Sequence, residues 1–347
     1  MGRRHQQGQH RQAIGTAVVD DSRQERGADL AAGAAGAARA AGVGGDAAGG
    51  RRDPGGEAAG GAAWYAAARR RGGCETVAPG VQIAYVEDDC TDGWSEPPVA
   101  MLLHGIAESA EAFAGWVPLL ARRCRVVRVD LRGYGLSSPV GEHDPLTIAA
   151  LADDVDALAA RLGAPRIHVA GAKLGAQIAL ELAQRRVGWM ASMTLAGVLI
   201  SPGGALGKWV DEWVGLVEQG GVEAWARATM PGRMGSALPP EGMDWWSRYM
   251  GRAPAATVKA CMRMLPRLAE PARLEAIRCP TQVIVAVQPE RPGAYDQRQP
   301  VAEVARWQSR IPGSSLVELQ ADSYHIAATH PDACAAITLR FIERTAS

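Results

Sequence analysis

Ile167-His-Val-Ala-Gly171-Ala-Lys173-Leu-Gly175 runs from a short apolar segment of buried-strand type, through two glycines four residues apart, into a helical pattern over 176–185. Glycines so placed let the backbone make a tight strand-to-helix turn, which lifts the central side chain above a sheet and beside the first amides of a helix. That central side chain is Lys173. Working outward, the apolar runs 99–103, 126–131, 193–200, 281–287 and 315–319 read as further strands. Residues 77–86, broken at Pro79-Gly80, read as an antiparallel hairpin. Helical spacing covers 148–162, with Thr147 placed as N-cap and Gly163 as a stop, and recurs near 301–309 and over 331–343. Strands alternating with helices predict an α/β fold with a mostly parallel central sheet flanked by helices.

Two segments depart from this alternation. Residues 1–73 are rich in Ala and Gly and poor in large apolar side chains, so they read as a disordered extension that cannot repay its ordering entropy. Residues 202–275 show no clear strand and carry five of the ten tryptophans, Trp209, Trp213, Trp225, Trp245 and Trp246. They read as an inserted helical lid, leaving 74–201 and 276–347 as the core. Trp209 and Trp213, four apart, share one helix face, either as lid core or as an aromatic wall for substrate.

Composition narrows the partners. The chain has 347 residues, is 47% hydrophobic, and balances 37 Lys+Arg against 37 Asp+Glu. A net charge of +0 argues against nucleic acid or an acidic membrane, whose binding needs a basic excess, and favours a small molecule. No apolar run is long enough to span a bilayer and no signal-peptide core is evident, so a cytoplasmic monomer or homodimer is expected. The six cysteines form no C-x-x-C pair and no zinc-type cluster, and the glycine-rich turns match neither a dinucleotide nor a phosphate loop. No metal and no cofactor is expected. Only three basic residues are lysines, Lys173, Lys208 and Lys259, which makes a lysine at a special position informative.

The order of the motifs is more specific than any one of them. His104-Gly105 follows a strand, Asp130-Leu-Arg-Gly-Tyr-Gly-Leu-Ser137 follows the next, Gly171–Gly175 makes the turn above, and His325 lies between the last strand and the last helix. Together these resemble the α/β-hydrolase fold over nearly all of 74–347: an oxyanion-loop dipeptide, a D-x-R-G-x-G-x-S segment, a G-x-S-x-G nucleophile elbow and a histidine loop. The resemblance implies His325 as general acid/base, His104 as a structural residue that orients its loop, and the backbone N–H groups of Ile106 and Leu174 as oxyanion donors. The family places an acid just after the strand at 281–287, where this chain reads Gln288-Pro-Glu290; Glu290 is either that acid after a one-residue shift or a solvated loop glutamate.

Lys173 at the centre of the elbow removes the ordinary serine-esterase route. A lysine attacking an ester gives an amide, which is a dead end. A lysine can instead condense with a ketone or aldehyde to a Schiff base that permits decarboxylation or carbon–carbon cleavage. It can also clamp a carboxylate or enolate as a cation, or act as a base toward water if burial lowers its pKa. Glu108 and Ser109, in the loop after His104, are candidates for facing the cleft, with Glu108 the natural counter-charge; the bland alternative is an ion pair in a retired site. The sequence therefore predicts an enzyme acting on a small, largely apolar carbonyl compound, with Lys173, His325 and Glu290 catalytic and Glu108, Ser109, Trp209 and Trp213 binding substrate. Hydrolysis by activated water and non-catalytic ligand binding are the rivals.

Overall fold

The fold is described from a computed structural model over residues 69–140, 146–287 and 295–346, without the side chains of Arg69, Pro202 and Ala205. Eight strands form one sheet: β1 Arg69–Ala78, β2 Val81–Asp89, β3 Val99–Leu103, β4 Arg125–Val129, β5 Ile167–Ala172, β6 Met190–Ala196, β7 Thr281–Ala286 and β8 Ser315–Leu319. Their order is β1-β2-β4-β3-β5-β6-β7-β8, with β1-β2 and β2-β4 antiparallel and every later pairing parallel. The helices are α1 Val117–Leu120, α2 Ile148–Arg161, α3 Leu174–Arg185, α4 Pro202–Leu206, α5 Val210–Met234, α6 Pro240–Gly251, α7 Ala255–Met264, α8 Val301–Gln308, α9 Ile326–Thr329 and α10 Pro331–Thr345.

The all-apolar strands are apolar because both faces of the sheet are covered. Along β3, Val99, Met101 and Leu103 pack into one core, whereas Ala100 and Leu102 pack into a second on the opposite face. Helix α2 begins where Thr147 Oγ1 accepts the Ala150 N–H at 3.0 Å, and it buries Leu151, Val155 and Leu158. Past its end, Gly163 takes a φ of 65°.

The first strand starts earlier than the sequence suggested. Arg69–Gly73, assigned above to the Ala/Gly-rich extension, pair with β2 from Arg69↔Asp89 to Gly73↔Tyr85. Arg-Arg-Arg-Gly-Gly carries no apolar alternation because β1 is an edge strand, where charged side chains are favoured. Residues 1–68 lie outside the described residues.

Between β6 and β7 the chain is helical, with α4 to α7 and no strand. Helix α5 is interrupted at Gly221, whose φ of 79° and ψ of 179° no helix contains. In the sheet, β3 lies between β4 and β5, so chain order reverses there and a crevice opens beyond the carboxyl ends of these strands. The loop after β3 and the turn after β5 meet in that crevice, and the loop after β8 brings His325 to it.

Candidate active site

Lys173 occupies the turn between β5 and α3 with φ 53° and ψ −107°. A non-glycine residue pays of order 1–3 kcal/mol for such a conformation, and surrounding structure must enforce it. Here the close fit of two glycines does so. A Cβ on Gly175 would stand 2.0 Å from the Leu103 carbonyl oxygen, and the Gly175 N–H donates to the His104 oxygen at 2.9 Å. The turn is thereby clamped onto the end of β3.

At that position the lysine meets two buried partners. Its Nζ donates to Glu108 Oε1 and lies 3.1 Å from His325 Nδ1 and 3.2 Å from Nε2. Glu108 Oε2 accepts the Gly105 N–H at 2.9 Å, and Oε1 is 3.8 Å from His325 Nδ1. The three side chains are 11%, 3% and 1% exposed for Lys173, Glu108 and His325. Gly105 leaves room for the lysine to pass, since a Cβ there would lie 2.6 Å from Lys173 Cε. Among the described residues, Glu108 supplies the carboxylate nearest His325; Glu290, with Gln288 and Pro289, lies outside them.

Burial sets the protonation states. Desolvation pulls the Lys173 amine below its ordinary value; Glu108 opposes the shift and the Arg233 cation adds to it. The positive end of α3 acts in the same sense. His325 is driven well below the usual imidazole range by burial, then by Lys173 and Arg233, so it is a neutral base at ordinary pH. His104 has a different job. Its Nε2 accepts the Leu131 N–H at 3.0 Å, which leaves the proton on Nδ1 to donate to the Gly105 carbonyl at 2.7 Å. Both nitrogens are thus spent on holding the loop. The neighbouring Ile106 and the first residue of α3, Leu174, both line the cavity above the lysine.

That cavity measures about 50 Å³, room for only a few water-sized groups. Its walls are apolar side chains such as Leu199, Met262 and Leu265, with Trp213 and Trp225 from α5. The structure separates the two tryptophans singled out above. Trp213 lines the cavity, whereas Trp209, in the turn just before α5, stacks behind it, ring centroids 5.8 Å apart. Ser109 is likewise not part of the lining. Its N–H donates to Tyr249 Oη at 2.6 Å and its hydroxyl lies 3.1 Å from the same oxygen, which ties the loop to α6. Four polar lining residues escaped the sequence reading: Gln177, Arg233, Gln297 and Tyr324. Arg233 is hidden by an arginine-rich composition, although its carbonyl accepts the N–H groups of Tyr324 and His325 at 3.0 and 3.3 Å. Among the described residues, no group of three or more His, Cys, Asp or Glu is placed to hold a metal, and no helix is long and apolar enough to cross a membrane.

Comparison with known proteins agrees with this architecture. A family model described as alpha/beta hydrolase fold matches residues 98–222, which include β3, the loop after it and the Lys173 turn. A hydrolase from Pseudomonas aeruginosa PA01 superposes with a TM-score of 0.65 at 25% identity, covering 78% of this chain and 98% of that one. The chain has the α/β-hydrolase fold. Among similar proteins, a putative carbamate hydrolase RutD of Caulobacter sp. (strain K31) is 26% identical over 265 residues, 73% of this chain and 93% of its own length. A probable oxidoreductase EphD of Mycobacterium tuberculosis (strain ATCC 25618 / H37Rv) is 42% identical over 92 residues, or 26% of this chain, and this match spans only 15% of EphD. An enol-lactonase from Burkholderia xenovorans LB400 shares the fold at a TM-score of 0.66 and 20% identity, over 77% of this chain and 99% of that one.

Proposed function

We propose that this α/β-hydrolase-superfamily protein is an enzyme of lyase or decarboxylase type that cleaves a carbon–carbon bond in a small carbonyl compound, with Lys173 as amine and His325 as proton carrier. One observation carries the reading: a buried amine of lowered pKa stands in the elbow, 3.1 Å from a neutral imidazole and on the wall of an apolar cavity. An amine shielded from water beside a second cation, here Arg233, is the setting in which lysine becomes a nucleophile.

The chemistry balances within these residues. Lys173 Nζ adds to the substrate carbonyl carbon, the carbonyl oxygen takes protons and leaves as water, and an iminium remains. In a β-hydroxy ketone His325 then takes the hydroxyl proton, the adjacent carbon–carbon bond breaks, and its electron pair moves into the iminium to give an enamine and an aldehyde. His325 returns its proton to the enamine carbon, and water hydrolyses the resulting iminium to release the ketone and free Lys173. Glu108 keeps the resting amine oriented and serves as counter-charge to the iminium. With a β-keto acid the carboxylate leaves as carbon dioxide and its bonding pair moves into the iminium, no proton being removed, and the enamine carbon then takes a proton from solvent relayed by His325 before water releases the ketone.

Hydrolysis is the second reading, favoured by relatives named as a carbamate hydrolase and a pimeloyl-[acyl-carrier protein] methyl ester esterase. In it His325 deprotonates water and the N–H groups of Ile106 and Leu174 hold the oxyanion. Borohydride separates the two. With a panel of ketones, aldehydes and keto acids, the first reading gives a reduced adduct on the Lys173 peptide that disappears in Lys173→Ala. Turnover of an ester with no adduct, and with solvent oxygen in the acid product, favours the second.

A further inference from the structure

Eight buried side-chain nitrogens among the described residues have no hydrogen-bond partner, and five of them belong to residues lining the one cavity above Lys173. They are Nε and Nη2 of Arg233, Nε1 of Trp213, Nε1 of Trp225 and Nε2 of Gln297. All five are donors, and none of these atoms has acceptor capacity. Native interiors leave few buried donors unmet, so their concentration in one wall calls for an acceptor that comes from outside the protein.

Charge points the same way. Glu108 is in contact with Lys173, and Arg233, 4% exposed, has no ion-pair partner within contact distance among the described residues. Among the described residues its guanidinium is a buried cation with no carboxylate in contact, and a guest with one negative charge supplies that contact. Arg233 is also held in place: its carbonyl accepts from Tyr324 N–H, His325 N–H and Ser323 Oγ, and its guanidinium lies 4.4 Å from the centre of the Trp225 ring. We infer that the cavity is a binding site for a small organic carboxylate, received by the Arg233 guanidinium with Trp213, Trp225 and Gln297 supplying further donors.

A carboxylate fits better than other anions. Its two oxygens match the guanidinium fork, and its hydrocarbon part meets Leu199, Met262 and Leu265. A phosphate dianion brings a second charge that nothing balances, and a halide leaves the apolar walls unused. Joined to the reading of Lys173 as a carbonyl-binding amine, on which this last step rests, the substrate becomes an oxo acid. The anion site itself stands without that step.

The test is calorimetric titration of the full-length protein at fixed ionic strength with butyrate, 2-oxobutyrate, 2-butanone, chloride and phosphate. Butyrate and 2-oxobutyrate are expected to bind at least tenfold more tightly than the uncharged ketone and than either inorganic anion. Arg233→Met, which keeps the carbonyl that holds the histidine loop, is expected to weaken butyrate at least tenfold. Trp225→Phe keeps a ring beneath the guanidinium, loses the indole N–H, and is expected to weaken butyrate several-fold. The inference is overturned if butyrate does not bind up to 100 mM, if chloride or phosphate binds as tightly, or if folded Arg233→Met and Trp225→Phe both retain full affinity. Arg233-dependent binding of 2-oxobutyrate without a borohydride-stable adduct keeps this site and removes the Schiff-base reading. Adducts formed equally well from 2-oxobutyrate and 2-butanone keep the Schiff base and remove the carboxylate site.

Discussion

Replacing Glu108 by Gln isolates the electrostatics on which the site depends. The amide keeps an acceptor for the Gly105 N–H, so the loop retains its anchor, but the charge facing Lys173 is lost. Both partners are buried, at 11% and 3% exposure, and Arg233 remains nearby with no carboxylate to offset it. Stranding one member of a buried pair costs about 3–5 kcal/mol while that member stays charged. The deficit then shrinks by about 1.4 kcal/mol for each pH unit above the variant's lysine pKa, because the lysine escapes by losing its proton. The sign follows from proton counting. The unfolded lysine titrates near its ordinary value of 10.5, and the folded amine lies below that, further below in Glu108→Gln than in the wild type. Between the two folded values the variant's native state binds fewer protons, so its stability rises with pH relative to the wild type. Denaturant unfolding at pH 6, 7, 8 and 9 should show a deficit of about 3 kcal/mol or more at pH 6 that narrows steadily toward pH 9. Adding Lys173→Met should restore most of the loss, a coupling of about 2 kcal/mol or more. A deficit below about 1 kcal/mol at pH 6, or one that is flat to pH 9, refutes the reasoning.

Other consequences are independent of the reaction. Thr147→Ala removes the cap on α2 and should cost about 1 kcal/mol in denaturant unfolding. Gly175→Ala drives a methyl to 2.0 Å from the Leu103 carbonyl oxygen and should cost about 3 kcal/mol or more, read as a lowered midpoint or loss of soluble protein. Burial, aided by Arg166, lowers the His168 pKa to about 4, and Nδ1 lies 2.8 Å from Ser192 Oγ. Its neutral form therefore contributes stability that is full above about 6.5 and is lost as pH falls toward 4, so His168→Gln should flatten the difference in unfolding midpoint between pH 7 and pH 5.

The sheet was legible because burial on both faces leaves strands such as 99–103 wholly apolar, and the elbow because Gly171 and Gly175 are required by backbone contacts. Lys173 stood out through position and through the scarcity of lysine. Arg233 did not, for the opposite reason: the second of two arginines on a 25-residue helix in an arginine-rich chain carries no local mark, and its importance comes from lining a cavity with no ion-pair partner among the described residues. Arg69–Gly73 hid because an edge strand needs no apolar alternation. Trp209 and Trp213 were indistinguishable by spacing, since only the packing of α5 determines which ring reaches the wall. Ser109 was read as facing substrate because sequence distance gives no hint of Tyr249, 140 residues away.

Lys173 as an accessible amine of lowered pKa is the claim from which the rest follows, and it can be measured without a substrate. Treatment of the protein with 2,4-pentanedione across pH 6–10, followed by peptide mass spectrometry, gives a labelling rate for each lysine, because only the neutral amine condenses. Lys208 sits 4.4 Å over the Trp209 ring and Lys259 lies 3.1 Å from Glu218, so both serve as internal standards. Lys173 is expected to label fastest near neutrality, with its half-point at lower pH than either standard. Labelling of Lys173 that is slower than both at every pH contradicts it.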